Sequence, residues 1–302
     1  MGSGYESEGE KPLLQDRTVV KAKLTGVEET MILTLWSRAG DAASPNPILG
    51  DTYAQSILDK VDVDAISPSL FPKDKRYHRW VSVRARELDA WCQSFLDEHA
   101  AQPVTVLHLA CGLDLRAMRM QPPRGSNVHW FDLDKPEVIN LRRRLIPNPE
   151  KDDTVAWDYS LIGASVHDDQ WLEEIPSDQP LLVIAEGLFF YLSKKDGTSL
   201  LQKLVNHSPR GQIILDVAGT VIYRFQFLMP LLRGTSVKMG WGVDDGEEVA
   251  AAHPRLRLAE TKLFTDLIPG FLASPPTLGK WTPLLSLFPA WKKYSQLLRL
   301  VF

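Results

Sequence analysis

Asp134 follows a lone glycine, Gly112, by 22 residues. Each closes a short apolar run, Val104 to Ala110 before the glycine turn and Asn127 to Leu133 before the acid. A carboxylate about 20 residues past a glycine turn, at the tip of the next strand, is placed to accept from both hydroxyls of a ribose. The turn reads Ala110-Cys111-Gly112-Leu113-Asp114. Dinucleotide and triphosphate sites need several glycines, so that bare N–H groups face the phosphates at a helix N-terminus. Here one glycine stands among side chains, and Asp114 occupies the N-cap position, where its carboxylate is expected to satisfy those N–H groups. A second anion would be repelled. The loop suits an adenosine without phosphates, which points to S-adenosylmethionine.

Two further charges stand where charges are costly. Lys75 to Ala100 reads as a helix with an apolar stripe of Tyr77, Trp80, Val81, Leu88, Trp91, Cys92, Phe95 and Leu96. Arg84 falls inside that stripe, whereas Arg86 falls outside it and is expected to be solvated. A guanidinium on a core-facing stripe needs an anion. That anion is either a nearby Asp or Glu or a ligand carboxylate such as that of methionine. Glu186 ends a second apolar run, Pro180 to Glu186, at a strand tip where sheets of this kind bind ligands. A sulfonium cation would favour a carboxylate and aromatic faces nearby. Phe189 and Phe190 are read as core.

These residues require an α/β frame to position them. Strands are expected at Val104 to Ala110, Asn127 to Leu133, Tyr159 to Val166, Pro180 to Glu186, Gln212 to Val217, Leu256 to Leu263 and Ser295 to Phe302. Helices between them, among them Leu115 to Met120 and Lys194 to Asn206, argue for a doubly wound, mostly parallel sheet of seven strands. Residues 1–24 are polar and read as a flexible tail. Residues 25–302 read as a single domain, with a helical N-terminal region at 25–100 and a cap insertion between late strands at 222–253. Tyr223 to Pro230 in that cap is apolar and aromatic, and reads either as a lining for a planar ligand or as a core helix of the cap.

The formal net charge of −4 gives no basic field for nucleic acid. Arg142-Arg143-Arg144 is expected to be a solvated helix face. The two cysteines, Cys92 and Cys111, cannot build a disulfide framework or a zinc cluster, and a cytoplasmic setting is expected. The seven histidines show no metal-ligand pairing, so no metal is assigned. No apolar segment suits a bilayer span, and no membrane partner is expected.

Taken together, the chain from about Glu29 to Phe302 resembles the leucine carboxyl methyltransferase family, and within it the tetracenomycin polyketide O-methyltransferase-like members. Val83-Arg84 followed by Asp89 resembles the family's arginine helix. Leu109 to Arg116 is similar to its L-G-A-G-L-D-T-R loop, Trp130 to Pro136 to its acidic strand tip, and Ala185 to Tyr191 to its A-E-x-x-x-x-Y segment. Trp241 to Asp245, with His253-Pro254, is similar to an insertion of the small-molecule members. The resemblance implies a Rossmann-like class I methyltransferase that uses S-adenosylmethionine and leaves S-adenosylhomocysteine. It implies that Arg84 binds the methionine carboxylate, that Ala110 and Gly112 form the loop and Asp134 holds the ribose. Ser165 and Val166 would border the adenine, and Glu186 would lie near the sulfur. Ala110 replaces the loop's first glycine. Ser165 stands where many members carry an aspartate, a carboxylate that Asp168 is placed to supply from three residues on.

The reaction so implied is methyl transfer to an oxygen of a small secondary metabolite of polyketide type. A carboxylate acceptor is ionised at neutral pH and needs no base, whereas a phenol benefits from one. Tyr191, His167 and His253 are candidate helpers, and none is assigned as catalytic. Two other readings compete. One is a cyclase or isomerase that keeps the nucleoside without transferring methyl; the other is a binding protein that has lost activity.

Overall fold

The computed structural model describes residues 27–61, 71, 76–146, 157–228, 238–268 and 289–302. The expected tail at 1–24 and the Met229-Pro230 end of the aromatic run lie outside them. Three helices precede the sheet: α1 (Val27–Ala42), α2 (Ala54–Leu58) and α3 (Arg76–Glu98). Seven strands follow: β1 (Val104–Leu109), β2 (Val128–Asp134), β3 (Asp158–Gly163), β4 (Leu181–Ala185), β5 (Gly211–Ala218), β6 (Arg257–Leu263) and β7 (Ser295–Val301). Between them run α4 (Arg116–Arg119), α5 (Pro136–Leu145), α6 (Lys194–His207), α7 (Thr220–Phe225), α8 (Gly246–Ala250) and α9 (Phe264–Leu267).

The strands form one sheet in the order β3-β2-β1-β4-β5-β7-β6. The first five are parallel, and β7 runs antiparallel to both neighbours. This is the expected Rossmann-like, mostly parallel α/β sheet. β1 and β4 are buried at every position because helices cover both faces. Strand order reverses between β1 and β4, which opens a crevice at their C-terminal ends. Gly112 follows β1 there, Asp134 ends β2, and Glu186 follows β4.

Against one face α3 packs Trp91, Phe95 and Leu96 onto Val106, Leu182 and Ile214. Against the other, α6 packs Leu201, Leu204 and Val205 onto Val183 and Leu215. Gly197 in α6 leaves room for Trp241, since a Cβ there would stand 2.6 Å from the indole. A third cluster joins α1, α2 and α5 through Ile32, Leu35, Ile57, Leu141 and Leu145. α1 therefore folds over the crevice. No described helix is long and apolar enough to cross a membrane.

Two expected elements are shorter than the sequence suggests. The helix after the glycine loop is a single turn, α4, not Leu115 to Met120. β3 stops at Gly163, because the Ser165 N–H donates to the Asp168 carboxylate at 3.3 Å and the chain turns.

Candidate active site

The glycine loop is held in an unusual backbone state. Ala110 has φ +51° and Gly112 has φ +53°. A side chain at Gly112 would crowd Met31 of α1 at 3.1 Å and strain a left-handed backbone, so glycine is the residue that fits this turn at least cost. The Cys111 N–H donates to the Leu133 carbonyl at 3.2 Å, and the Gly112 N–H donates to Asp134 Oδ2 at 2.8 Å. Asp134 Oδ1 accepts from the Lys135 N–H at 2.8 Å. Burial raises the Asp134 carboxyl above its usual range, against the pull of these two amides.

Behind the loop lies a residue that charge patterning misassigned. Arg142 is not part of a solvated face. It is 1% exposed, while Arg143 and Arg144 are exposed. Its Nη1 donates to the carbonyls of Gly112 at 3.0 Å and Asp114 at 2.7 Å, and its Nη2 to Asp132 Oδ2 at 2.5 Å. The Tyr159 hydroxyl also donates to Asp132, at 2.5 Å. Burial alone would raise Asp132, but Arg142 and His108 outweigh it and hold the carboxyl at about 2. Helical periodicity turns one arginine of three inward, where unpaired loop carbonyls and a buried aspartate await it.

Asp114 is likewise not a helix cap. α4 has Leu115 at its N-cap and no side-chain cap bond. The Asp114 carboxylate instead meets Arg38 at 2.9 Å, Arg119 at 2.7 Å and Arg116 at 3.5 Å. Three guanidiniums outcompete backbone N–H groups for one buried carboxylate. They hold Asp114 well below its ordinary range despite its burial.

Arg84 lies over the Trp80 ring at 4.8 Å. Its Nε donates to Glu186 Oε1 at 2.9 Å and its Nη1 to Asp216 Oδ2 at 3.0 Å. Asp216 Oδ1 accepts from the N–H of Gly187, whose φ is +73° and which stands 2.6 Å away. Glu186 Oε2 accepts from Arg116 Nη2 at 2.5 Å. Burial opposes the charge on Glu186, yet Arg84 and Arg116 bring its carboxyl down to about 2. Arg116 Nη1 donates to His108 Nε2 at 3.2 Å, which leaves the imidazole proton on Nδ1, facing Asp132 Oδ1 at 3.2 Å. The imidazole thereby joins the two ion-pair clusters.

Arg84, Ala110, Gly112, Asp134 and Glu186 all line one cavity of about 200 Å³. Arg38, His108 and Asp114 add to its ionic lining. Tyr77, Trp80, Phe190, Tyr191 and Tyr294 supply an aromatic lining, with Ile222 and Met239 beside them. Phe190 is therefore a wall of the cavity, while Phe189 is core, as expected. The described side chains of the run from Tyr223, up to Phe227, do not line the cavity: Tyr223 and Phe225 are 37% exposed and Phe227 65%. α7 turns Ile222 inward and the rings of Tyr223 and Phe225 out. Ser165 and Val166 sit half-buried on the turn after β3 and do not line the cavity. The Asp168 carboxylate is engaged by the Ser165 amide.

Among the candidate helpers only Tyr191 reaches the cavity, and burial raises its hydroxyl pKa. His167 stands on the exposed turn and His253 meets Asn206 at 3.1 Å. Asp216 escaped the sequence reading. Its one signal is a charge inside the apolar run Ile213-Ile214-Leu215-Asp216-Val217 near a strand tip.

Comparison with known proteins agrees with this geometry. The family model described as leucine carboxyl methyltransferase matches residues 31–205. The tetracenomycin polyketide synthesis O-methyltransferase TcmP of Streptomyces glaucescens is 40% identical over 259 residues, covering 86% of this chain and 90% of that protein. The S-adenosyl-L-methionine-dependent methyltransferase dpfgK of Gibberella zeae is 36% identical over 255 residues, covering 80% of this chain and 83% of that protein. A candidate methyltransferase of known structure from Thermobifida fusca shares the fold, with a TM-score of 0.51 at 16% identity, covering 87% of this chain and 92% of that one. With its loop, its arginine helix and its two acidic strand tips around one cavity, the chain belongs to the leucine carboxyl methyltransferase family.

Proposed function

We propose that this methyltransferase uses S-adenosylmethionine to methylate a carboxylate or phenol oxygen of a small, planar, polyketide-like metabolite. The observation that carries the reading is a single cavity lined by both ionic and aromatic side chains, with Arg84 lying over the Trp80 ring at 4.8 Å. The ionic lining fits the methyl donor. Asp134 presents a carboxylate for two ribose hydroxyls beside the Ala110–Gly112 loop, where a side chain larger than glycine's would meet Met31. Arg84 Nη2 makes no hydrogen bond among the described residues and is the donor left for the methionine carboxylate. Glu186 takes the region of the sulfur, whereas Ser165 and Val166 stand outside the cavity lining and are given no part in holding the donor.

When bound, the donor supplies an activated methyl: the acceptor oxygen's lone pair forms the new C–O bond while the S–C electron pair returns to sulfur. The protein's own task is alignment and exclusion of water, and orientation of two bound reactants accounts for several kcal/mol. Tyr77, Trp80, Phe190, Tyr191 and Tyr294 offer aromatic faces and edges to an aromatic acceptor. Burial lifts the Tyr77, Tyr191 and Tyr294 hydroxyls above the ordinary phenol range, so they act as hydrogen-bond donors and not as bases. An acceptor that is already ionised suits such a site. The name of the Streptomyces relative, a polyketide synthesis O-methyltransferase, supports the substrate class. The cytoplasm is the proposed compartment, in keeping with the buried free thiols Cys92 and Cys111.

The test is transfer of labelled methyl to a panel of aromatic polyketide acids and phenols, with amine and thiol analogues as controls. Transfer to oxygen alone is expected. Tight donor binding with transfer to none of the oxygen acceptors would favour a cyclase or isomerase instead.

A further inference from the structure

The stretch 239–244 is tied to three separate parts of the cavity lining. The Gly240 N–H donates to the Phe190 carbonyl at 2.8 Å, and the Val243 N–H to the Ala218 carbonyl at 2.8 Å. The Asp244 carboxylate accepts from the Thr220 N–H at 2.8 Å and from the Thr220 hydroxyl, which fixes the first residue of α7. The backbone fits closely: a Cβ at Gly240 would stand 2.5 Å from the Leu192 carbonyl oxygen, and one at Gly242 2.7 Å from Tyr223 Cβ. Phe190, Ala218 and Ile222 of α7 all line the cavity. One stretch thus sets the spacing of three lining residues from three elements.

The same stretch adds a side chain of its own to the lining, that of Met239, which is half-buried. Both polar groups of its backbone are held by one side chain. Gln226 Oε1 accepts from the Met239 N–H at 2.7 Å, and Gln226 Nε2 donates to the Met239 carbonyl at 3.3 Å and to the Tyr223 carbonyl at 2.8 Å. A side-chain amide serves a backbone N–H and a C=O at once, whereas a carboxylate only accepts. The clamp fixes where the Met239 side chain starts, and the unbranched thioether beyond it stays adaptable.

We propose that Met239 is a specificity-determining residue, setting the width of the ring system the site accepts, and that Gln226 is its positioning residue. The inference rests on the methyl-transfer reading above and deepens it. Position along the sheet assigns this part of the lining to the acceptor. Asp134 ends β2 on one side of β1, whereas Phe190 follows β4 and Ala218 ends β5 on the other. Truncating Met239 opens the lining beside Phe190 and Ile222. Losing the Gln226 amide frees the Met239 backbone, so the same part of the lining loosens. Neither change touches the ribose carboxylate or the glycine loop.

The experiment is labelled-methyl transfer by the full-length protein to benzoate, 2-naphthoate and anthracene-2-carboxylate and to the corresponding phenols, read as kcat/KM. Calorimetry with S-adenosylhomocysteine runs alongside. Met239→Ala is expected to raise the ratio of three-ring to one-ring acceptor at least about tenfold, the scale of a methylene in an apolar pocket, and Met239→Trp to lower it. Gln226→Ala is expected to raise the ratio less, and to add nothing in the Met239→Ala background. Gln226→Glu keeps an acceptor for the Met239 N–H but loses both donations, and is expected to fall between wild type and Gln226→Ala. Nucleoside affinity is expected to stay unchanged throughout. A ratio unchanged in the folded Met239 variants overturns the inference. If Gln226→Ala and Gln226→Glu lower all rates together and leave the ratio alone, that side chain is structural and its part is overturned. Weaker nucleoside binding in the Met239 variants places the residue beside the donor and overturns the assignment to the acceptor. Nucleoside binding with transfer to neither series removes the proposed function, and this inference with it.

Discussion

Ala110→Gly tests whether the cofactor loop stores backbone strain. Ala110 stands between β1 and Gly112 with φ +51°, and it is the one non-glycine residue with positive φ among the described residues. A left-handed backbone costs an L-residue roughly 1–2 kcal/mol. Glycine removes that cost but loses about 0.4–1 kcal/mol through the greater freedom of its unfolded chain. Its missing methyl, only half-buried here, forfeits a further few tenths of a kcal/mol at about 25 cal/mol per Å². The variant should therefore be more stable than the wild type by about 0.5 kcal/mol. Ala90 is the control: it lies exposed within α3. Ala90→Gly should lose about 1 kcal/mol, as glycine does inside a helix. Urea unfolding with an unchanged m-value reads both. Should Ala110→Gly lose as much as Ala90→Gly, the strain argument is wrong.

Arg142→Met strands Asp132 and the loop carbonyls without their buried cation, and should cost about 3–5 kcal/mol in urea unfolding; adding Asp132→Asn should recover part of the loss, and no recovery would mean that the clamp works through packing alone. Gly197→Ala should destabilise by about 1–3 kcal/mol although alanine is the better helix former, because its Cβ would stand 2.6 Å from Trp241; Trp241→Leu in the same chain should restore most of it, as thermal melts can check. Acid should unfold the protein early. Glu186 and Asp132 have folded pKa values of about 2, below their unfolded values of about 4. Their stabilisation is whole above about pH 4.5 and is lost as pH falls towards 2, at on the order of 2–3 kcal/mol each. Asp134 and Asp216 are raised and contribute in the opposite sense, so Asp132→Asn and Glu186→Gln should flatten the acid limb of the stability curve; a limb as steep as that of the wild type would refute the assignment.

Much of the site was legible in the chain. The lone glycine and the acid 22 residues on were enough to place Gly112 and Asp134 beside each other, and they meet through a hydrogen bond of 2.8 Å. The α3 stripe showed that Arg84 faces inward and needs an anion. It did not show which one, and the structure supplies two, Glu186 and Asp216. The run from Tyr223 reads either as a ligand lining or as a core helix of the cap; among the described residues the aromatic lining comes instead from Tyr77, Phe190 and Tyr294, in three distant parts of the chain.

Periodicity within one element determines which side of that element a residue occupies, because 3.6- and 2-residue repeats are local backbone geometry. It located the seven strands, the long helices α3 and α6, and the inward turn of Arg84. Partners are another matter, since Arg84 and Asp216 are 132 residues apart, and only the closed sheet brings them to 3.0 Å. The same holds for Arg142, whose burial depends on loop carbonyls that its own helix does not contain. Charge pairing in a low-dielectric interior is set by long-range packing, and that is what the tertiary structure alone decided.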